Sequence, residues 1–136
     1  MNREAILGVI VTLLAAVVYL GLAMRVGVLR GKLDIKAPAT TGHPQFERAS
    51  RVHLNTAEQY IAFLPLFWTA TLTFRAYYWL PAAFGVLFLI ARLFYARLYM
   101  RAPETRINGA FLTMFTQVGL LVLSVIGVAQ MWRLYW

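Results

Sequence analysis

Four polar side chains able to hydrogen-bond a charged ligand recur at helical spacing in one short segment: Arg48, Arg51, Asn55 and Glu58. At 100° per residue they share an arc of about 80°. A second segment repeats the pattern with Arg92, Tyr95 and Tyr99 on one stripe, while Arg97 and Arg101 point the opposite way. Together the two stripes offer guanidinium, amide and phenol hydrogen-bonding groups with a surplus of positive charge. Such a set suits a small anionic ligand carrying several functional groups. A purely structural network, Glu47 and Glu58 neutralising Arg48 and Arg51, is the competing reading. It would satisfy the first stripe alone and leaves Asn55, Arg92 and both tyrosines without a reason.

The elements that must position these groups are membrane helices. Of 136 residues, 61% are hydrophobic and 13% charged, and the mean hydropathy is +0.66. A soluble domain carries about 25% charged residues. Ala5 to Met24 and Ile107 to Trp132 are uncharged for 20 and 26 residues, long enough to cross a bilayer. Two further uncharged runs, Gln59 to Phe74 and Ala76 to Ala91, have 16 residues each and must continue into charged sequence to span. Pro44 suits a first helical turn, so the second helix should start near residue 45 and kink at Pro65. Pro81 and Pro103 bracket the third. The expected fold is an all-α integral membrane protein, one four-helix up-down domain over residues 1–136. Its spans are placed near 5–29, 45–75, 79–102 and 107–133.

In that topology the charged ends of the second and third helices converge. Six Lys and Arg between Arg25 and Arg51 and four between Arg92 and Arg106 fall on one side, against Arg3, Arg75 and Arg133 on the other. The positive-inside rule then directs the polar stripes to the cytoplasm, of a bacterial inner membrane or the endoplasmic reticulum alike. Trp68, Tyr77, Tyr78, Trp79, Trp132, Tyr135 and Trp136 read as an interfacial aromatic belt.

Several chemistries are excluded or disfavoured. The chain has no cysteine, so any thiol it uses must be borrowed. Two histidines, His43 in a loop and His53 off the polar stripe, make a metal site unexpected. Although the net charge is +8, the cations flank apolar runs rather than a soluble face, which argues against nucleic acid. No phosphate-binding glycine loop or Ser-His-Asp arrangement is present.

At this point the pattern resembles a known family, the membrane-associated proteins in eicosanoid and glutathione metabolism (MAPEG). The loop Thr40-Thr41-Gly42-His43-Pro44-Gln45-Phe46 leads into Glu47-Arg48-x-x-Arg51-x-x-x-Asn55-x-x-Glu58. This is similar to the family's first-loop and second-helix signature. Arg92-x-x-Tyr95-x-x-x-Tyr99, followed by Arg106, resembles its third-helix signature. Arg30-Gly31, His53 and Leu98 depart from the leukotriene-synthase branch. Arg101-Ala102-Pro103 is closer to the branch of microsomal glutathione transferases and prostaglandin E synthases.

The resemblance implies a homotrimer with glutathione as co-substrate, bound between neighbouring subunits, and a lipophilic electrophile or lipid hydroperoxide arriving through the membrane lipids. Arg106 matches the position expected to stabilise the glutathione thiolate. Arg51, Asn55, Glu58, Arg92, Tyr95 and Tyr99 match glutathione-binding positions, and Arg30 a contact from the adjacent subunit. Arg48 and His53 are secondary candidates. The thiolate is the nucleophile, and a free thiol with a pKa of about 8.5 is mostly protonated at neutral pH. A permanently charged arginine is the natural activator. The expected activity is glutathione transfer or peroxide reduction. A non-catalytic lipid-binding scaffold of the same family is the alternative, and a small multidrug exporter ranks last because Glu58 sits among arginines that would repel a cation.

Overall fold

The computed structural model describes residues 2–135. Trp136 and the side chain of Tyr135, both expected in the aromatic belt, lie outside the described residues. Four long helices account for almost all of it: α1 (Arg3–Lys32), α2 (Pro44–Thr73), α3 (Leu80–Arg101) and α4 (Ile107–Tyr135). A 3₁₀ turn, Pro103–Arg106, joins the last two. No strand occurs among the described residues. Helix ends follow local chemistry. Pro44 opens α2 at a position where a missing N–H costs nothing, and the His43 side chain accepts from Gln45 N at 3.2 Å as a cap. Pro81 lies in the first turn of α3, and Pro103 prevents α3 from continuing. α1 closes in a Schellman arrangement, Ile35 N to Arg30 O at 3.1 Å and Asp34 N to Gly31 O at 3.4 Å, with Asp34 left-handed at φ 50°. α2 runs through Pro65 as one uninterrupted helix.

Contacts along the helices define an up-down bundle. Tyr60 Oη donates to Ala15 O at 2.9 Å, and Tyr19 lies against His53, so α1 and α2 are antiparallel. Phe63 stacks on Phe88 with ring centroids 3.9 Å apart, while Arg92 reaches Asn55, which makes α2 and α3 antiparallel too. α4 runs beside α2 in the same direction. It is fastened by Gln117 Nε2 to Gln59 O at 3.1 Å and Ser124 Oγ to Leu66 O at 2.9 Å. The second helix thus touches the other three.

α1, α3 and the segment Pro103–Leu134 are each long and apolar enough to cross a membrane. α2 is equally long, but its first four turns carry the charges. Large apolar side chains such as Leu13, Val17, Ile61, Phe111 and Val125 face outward, as lipid contact requires and water would penalise. Inside, an aromatic cluster of Phe63, Phe67, Phe74 and Phe88 packs with Val11, Leu89, Leu120 and Leu123. Gly85 admits this packing: a Cβ there would meet Phe67 and Val11 at 2.7 Å. Buried hydroxyls spend their hydrogen bonds on the preceding turn, as Thr71 does to Phe67 O at 2.7 Å.

Candidate functional site

The bundle brings the C-terminal end of α1, the N-terminal end of α2, the C-terminal end of α3 and the 3₁₀ turn to one end. Ten of the chain's thirteen Lys and Arg collect there. Between α2, α3 and the start of α4 lies a polar cavity of about 260 Å³. Arg51, Asn55 and Gln59 line it from α2, Arg92 and Tyr95 from α3, and Arg106 from the 3₁₀ turn, with Thr113 behind them on α4. Three guanidinium groups and no carboxylate therefore line one space, a donor set whose chemistry suits an anion.

Arg92 is its most informative member. The side chain is 1% exposed, and its Nη2 donates to Asn55 Oδ1 at 3.0 Å and Thr56 Oγ1 at 2.9 Å. Its guanidinium lies 4.3 Å from the centroid of the Tyr95 ring. Nε is buried with no hydrogen-bond partner, and among the described residues no carboxylate lies within ion-pair distance. A buried charge held only by neutral groups carries a large desolvation cost unless an anion joins it. The neutral partners fix its direction without consuming its charge.

Tyr95 is positioned from behind by backbone. Gly109 of α4 lies so close to it that a Cβ would sit 2.6 Å from the Tyr95 Cα and 2.9 Å from its N. Only glycine allows that approach of α4 to α3. Tyr99 stands one turn on, its ring 5.6 Å from that of Tyr95, and Arg106 covers it at 5.6 Å. Tyr99 is thus a platform for Arg106 rather than part of the cavity wall. Glu58 is likewise at the rim, accepting from Asn55 Nδ2 at 3.2 Å and pairing with Arg51 at 4.0 Å. Both partners of that pair are more than half exposed (56% and 55%), so it is a weak, solvated contact.

The remaining sequence candidates lie elsewhere. Arg48 shares the α2 stripe by angle, yet its Nη1 donates to Met100 O at 3.3 Å and Arg101 O at 3.5 Å, capping the end of α3. Arg30 donates to Ala39 O at 2.9 Å and Ile35 O at 3.3 Å and covers the buried Phe46 ring at 4.7 Å, latching the loop after α1 onto α2. His53 faces α1, its ring 4.7 Å from Tyr19, with Nε2 buried and unpartnered. Of the competing ion-pair network, Glu58 does pair with Arg51, whereas Glu47 accepts from Gly42 N at 3.0 Å and ties down the loop rather than pairing with Arg48. Spacing did not single out Thr56, Gln59, Thr113 or Gly109, all of which shape the site. No cluster of metal-ligating side chains occurs among the described residues.

Comparison with known proteins places the chain in a family. Residues 8–126 match the model of the MAPEG family. Microsomal glutathione S-transferase 2 of Mus musculus is 38% identical over 120 residues, covering 88% of this chain and 80% of the mouse protein. Leukotriene C4 synthase of Bos taurus is 33% identical over 107 residues, 79% of this chain and 70% of that enzyme. An uncharacterized protein of Synechocystis sp. is 35% identical over 135 residues, 98% and 94% of the two chains. The family match runs from Gly8 to Ile126 and so takes in every residue that lines the cavity; the chain belongs to the MAPEG family.

Proposed function

We propose that this protein is a membrane-bound glutathione S-transferase or peroxidase. It would bind glutathione at the end of the bundle where α2, α3 and the 3₁₀ turn meet. The observation that carries the proposal is the buried, carboxylate-free Arg92 facing the same cavity as Arg51 and Arg106. Relatives named as a glutathione transferase and a leukotriene C4 synthase, at 38% and 33% identity, support glutathione as the anionic ligand.

In this reading Arg51 and Arg92 hold the ligand's carboxylates, Asn55 and Glu58 orient its amide and amino groups, and the Tyr95 hydroxyl donates from α3. Tyr99 holds Arg106 in place. Arg106 lies beside the sulfur and favours the thiolate, the thiol proton leaving to solvent. The thiolate then attacks an electrophilic carbon of a lipophilic substrate from the bilayer, expelling its leaving group as an anion, or attacks a lipid hydroperoxide oxygen, breaking the O–O bond to give the lipid alcohol and a glutathione sulfenic acid that a second glutathione converts to disulfide and water. α2 is the fourth span, its polar turns shielded by the other helices and by neighbouring subunits.

A homotrimer accounts for two features of the single chain. About 260 Å³ is below the roughly 300 to 1,000 Å³ of pockets that enclose ligands of this size, so one subunit offers only part of the binding surface. Arg30, which lies outside the cavity of its own chain and matches a family contact from the adjacent subunit, is the residue that would reach a neighbour's site, by releasing its hydrogen bonds to Ala39 O and Ile35 O. The positive-inside asymmetry directs these sites to the cytoplasm, where glutathione is supplied.

The test is turnover in liposomes. Purified protein should conjugate glutathione to 1-chloro-2,4-dinitrobenzene or reduce a phospholipid hydroperoxide, with Arg106→Leu at least about 100-fold slower, the scale of a lost electrostatic stabiliser. Absence of both reactions in protein that still binds glutathione would favour the non-catalytic lipid-binding scaffold.

A further inference from the structure

Three of the arginines that lie outside the cavity are gathered by the fold at a second place. Arg25 of α1 and Arg97 and Arg101 of α3 line a cleft of about 590 Å³ between these helices, over an apolar floor of Leu22, Leu93 and Met100. Arg97 and Arg101 leave α3 on the face opposite Arg92 and Tyr95, so the cleft and the cavity are separated by the helix itself. No carboxylate lines the cleft, and among the described residues none lies within ion-pair distance of these three arginines. All three are exposed, as is Leu93 at 51%.

We infer that this cleft binds the headgroup of an anionic phospholipid, with the upper part of an acyl chain along Leu22 and Leu93. Charge and shape carry the inference. The cleft sits at the charged end of a bundle whose outer surface is apolar, the level at which a lipid phosphate lies. Guanidinium forks match phosphate oxygens in pairs, and their alkyl stems extend the apolar floor up to the charge. Arg48 contributes from inside: its hydrogen bonds to Met100 O and Arg101 O fix the last turn of α3, and with it the spacing of two of the arginines. A second copy of this chain is the poorer occupant, because it would need carboxylates and the whole chain has five, of which Glu47 and Glu58 are engaged with Gly42 and Arg51. Dispersed topogenic charges would show no preference among lipids beyond net charge.

Native mass spectrometry of the full-length protein in neutral detergent, titrated with phosphatidylglycerol or phosphatidylcholine, tests this. Wild type should retain phosphatidylglycerol about tenfold more strongly than phosphatidylcholine, the scale of one to two juxtamembrane cations. Arg97→Gln with Arg101→Gln should abolish the preference, while Lys32→Gln with Lys36→Gln, an equal loss of charge at the end of α1 and in the loop after it, should keep it. Equal loss in both variants would overturn the proposal in favour of diffuse attraction. Competition by glycerol 3-phosphate alone would overturn it in favour of a free-anion site. Dissociation of the oligomer by Arg97→Gln with Arg101→Gln would overturn it in favour of a protein contact.

Discussion

The two halves of α2 solve opposite problems. From Tyr60 to Phe74 the helix is an anchor, its phenylalanines stacked into the aromatic cluster and its hydroxyls turned back on their own helix. Between Phe46 and Gln59, the side chains of Phe46, Ala49 and Val52 are still buried, but no aromatic stack like that of the other half forms among the described residues, and side-chain hydrogen bonds from Arg48 and Arg92 tie this half to α3. One helix therefore holds a packed scaffold and a charged site end to end. Stability should reside in the C-terminal half of α2 and ligand recognition in its N-terminal half.

Breaking the scaffold should give the largest effect on stability. Phe88→Ala removes the ring stacked on Phe63 and leaves a cavity costing about 3–5 kcal/mol, read as a lower unfolding temperature in detergent. Glutathione binding by the fraction still folded should be nearly unchanged. Gly109→Ala probes the seam between the two halves. Its methyl group has no room against the Tyr95 backbone, so α4 must shift, costing about 1–3 kcal/mol and weakening glutathione binding measured by calorimetry in the same variant.

In the polar half the signs separate. Arg92→Met removes a buried charge, so the unfolding temperature without ligand should hold or rise. Glutathione should bind at least about tenfold more weakly, the scale of a lost charge-assisted hydrogen bond. Thr56→Val removes one of the two hydrogen bonds that aim Arg92 and should weaken binding about fivefold, corresponding to about 1 kcal/mol. Thr56→Ser should restore it. The smallest effect belongs to Arg51→Gln on stability in the absence of ligand, under about 1 kcal/mol, because its pair with Glu58 is solvated.

Much of this organisation was legible in the residues. Helical periodicity placed Arg51 and Asn55 on one stripe and Arg92 and Tyr95 on another, and antiparallel packing turned the stripes toward each other, since 3.6 residues per turn leaves little freedom. Arg48 shows where periodicity stops. An angle on one helix does not say how far a neighbour's end lies, and Arg48 found the carbonyls of α3 before it reached the cavity. Thr56 was hidden for another reason. Hydroxyls in apolar helices routinely bond the preceding turn, as Thr56 does to Val52 O at 2.8 Å, so nothing in its spacing marks its second role as acceptor for Arg92. Gly109 was invisible because close approach is a property of two helices together. The span count of α2 was the hardest to read, since its charges obscure a helix of the same 30-residue length as α1.

Conversion of bound glutathione to its thiolate by the cavity's arginines can be read directly by spectroscopy. Purified protein should be titrated with glutathione while the ultraviolet difference absorbance of the thiolate is followed from pH 5 to 9. Positive charge favours the anion, so the signal should saturate, persist at neutral pH and fade only as the pH drops through a midpoint at least about one unit below the free thiol's value near 8.5. In Arg106→Leu the midpoint should return toward that value while binding persists. A wild-type midpoint equal to that of free glutathione would contradict thiol activation by this site.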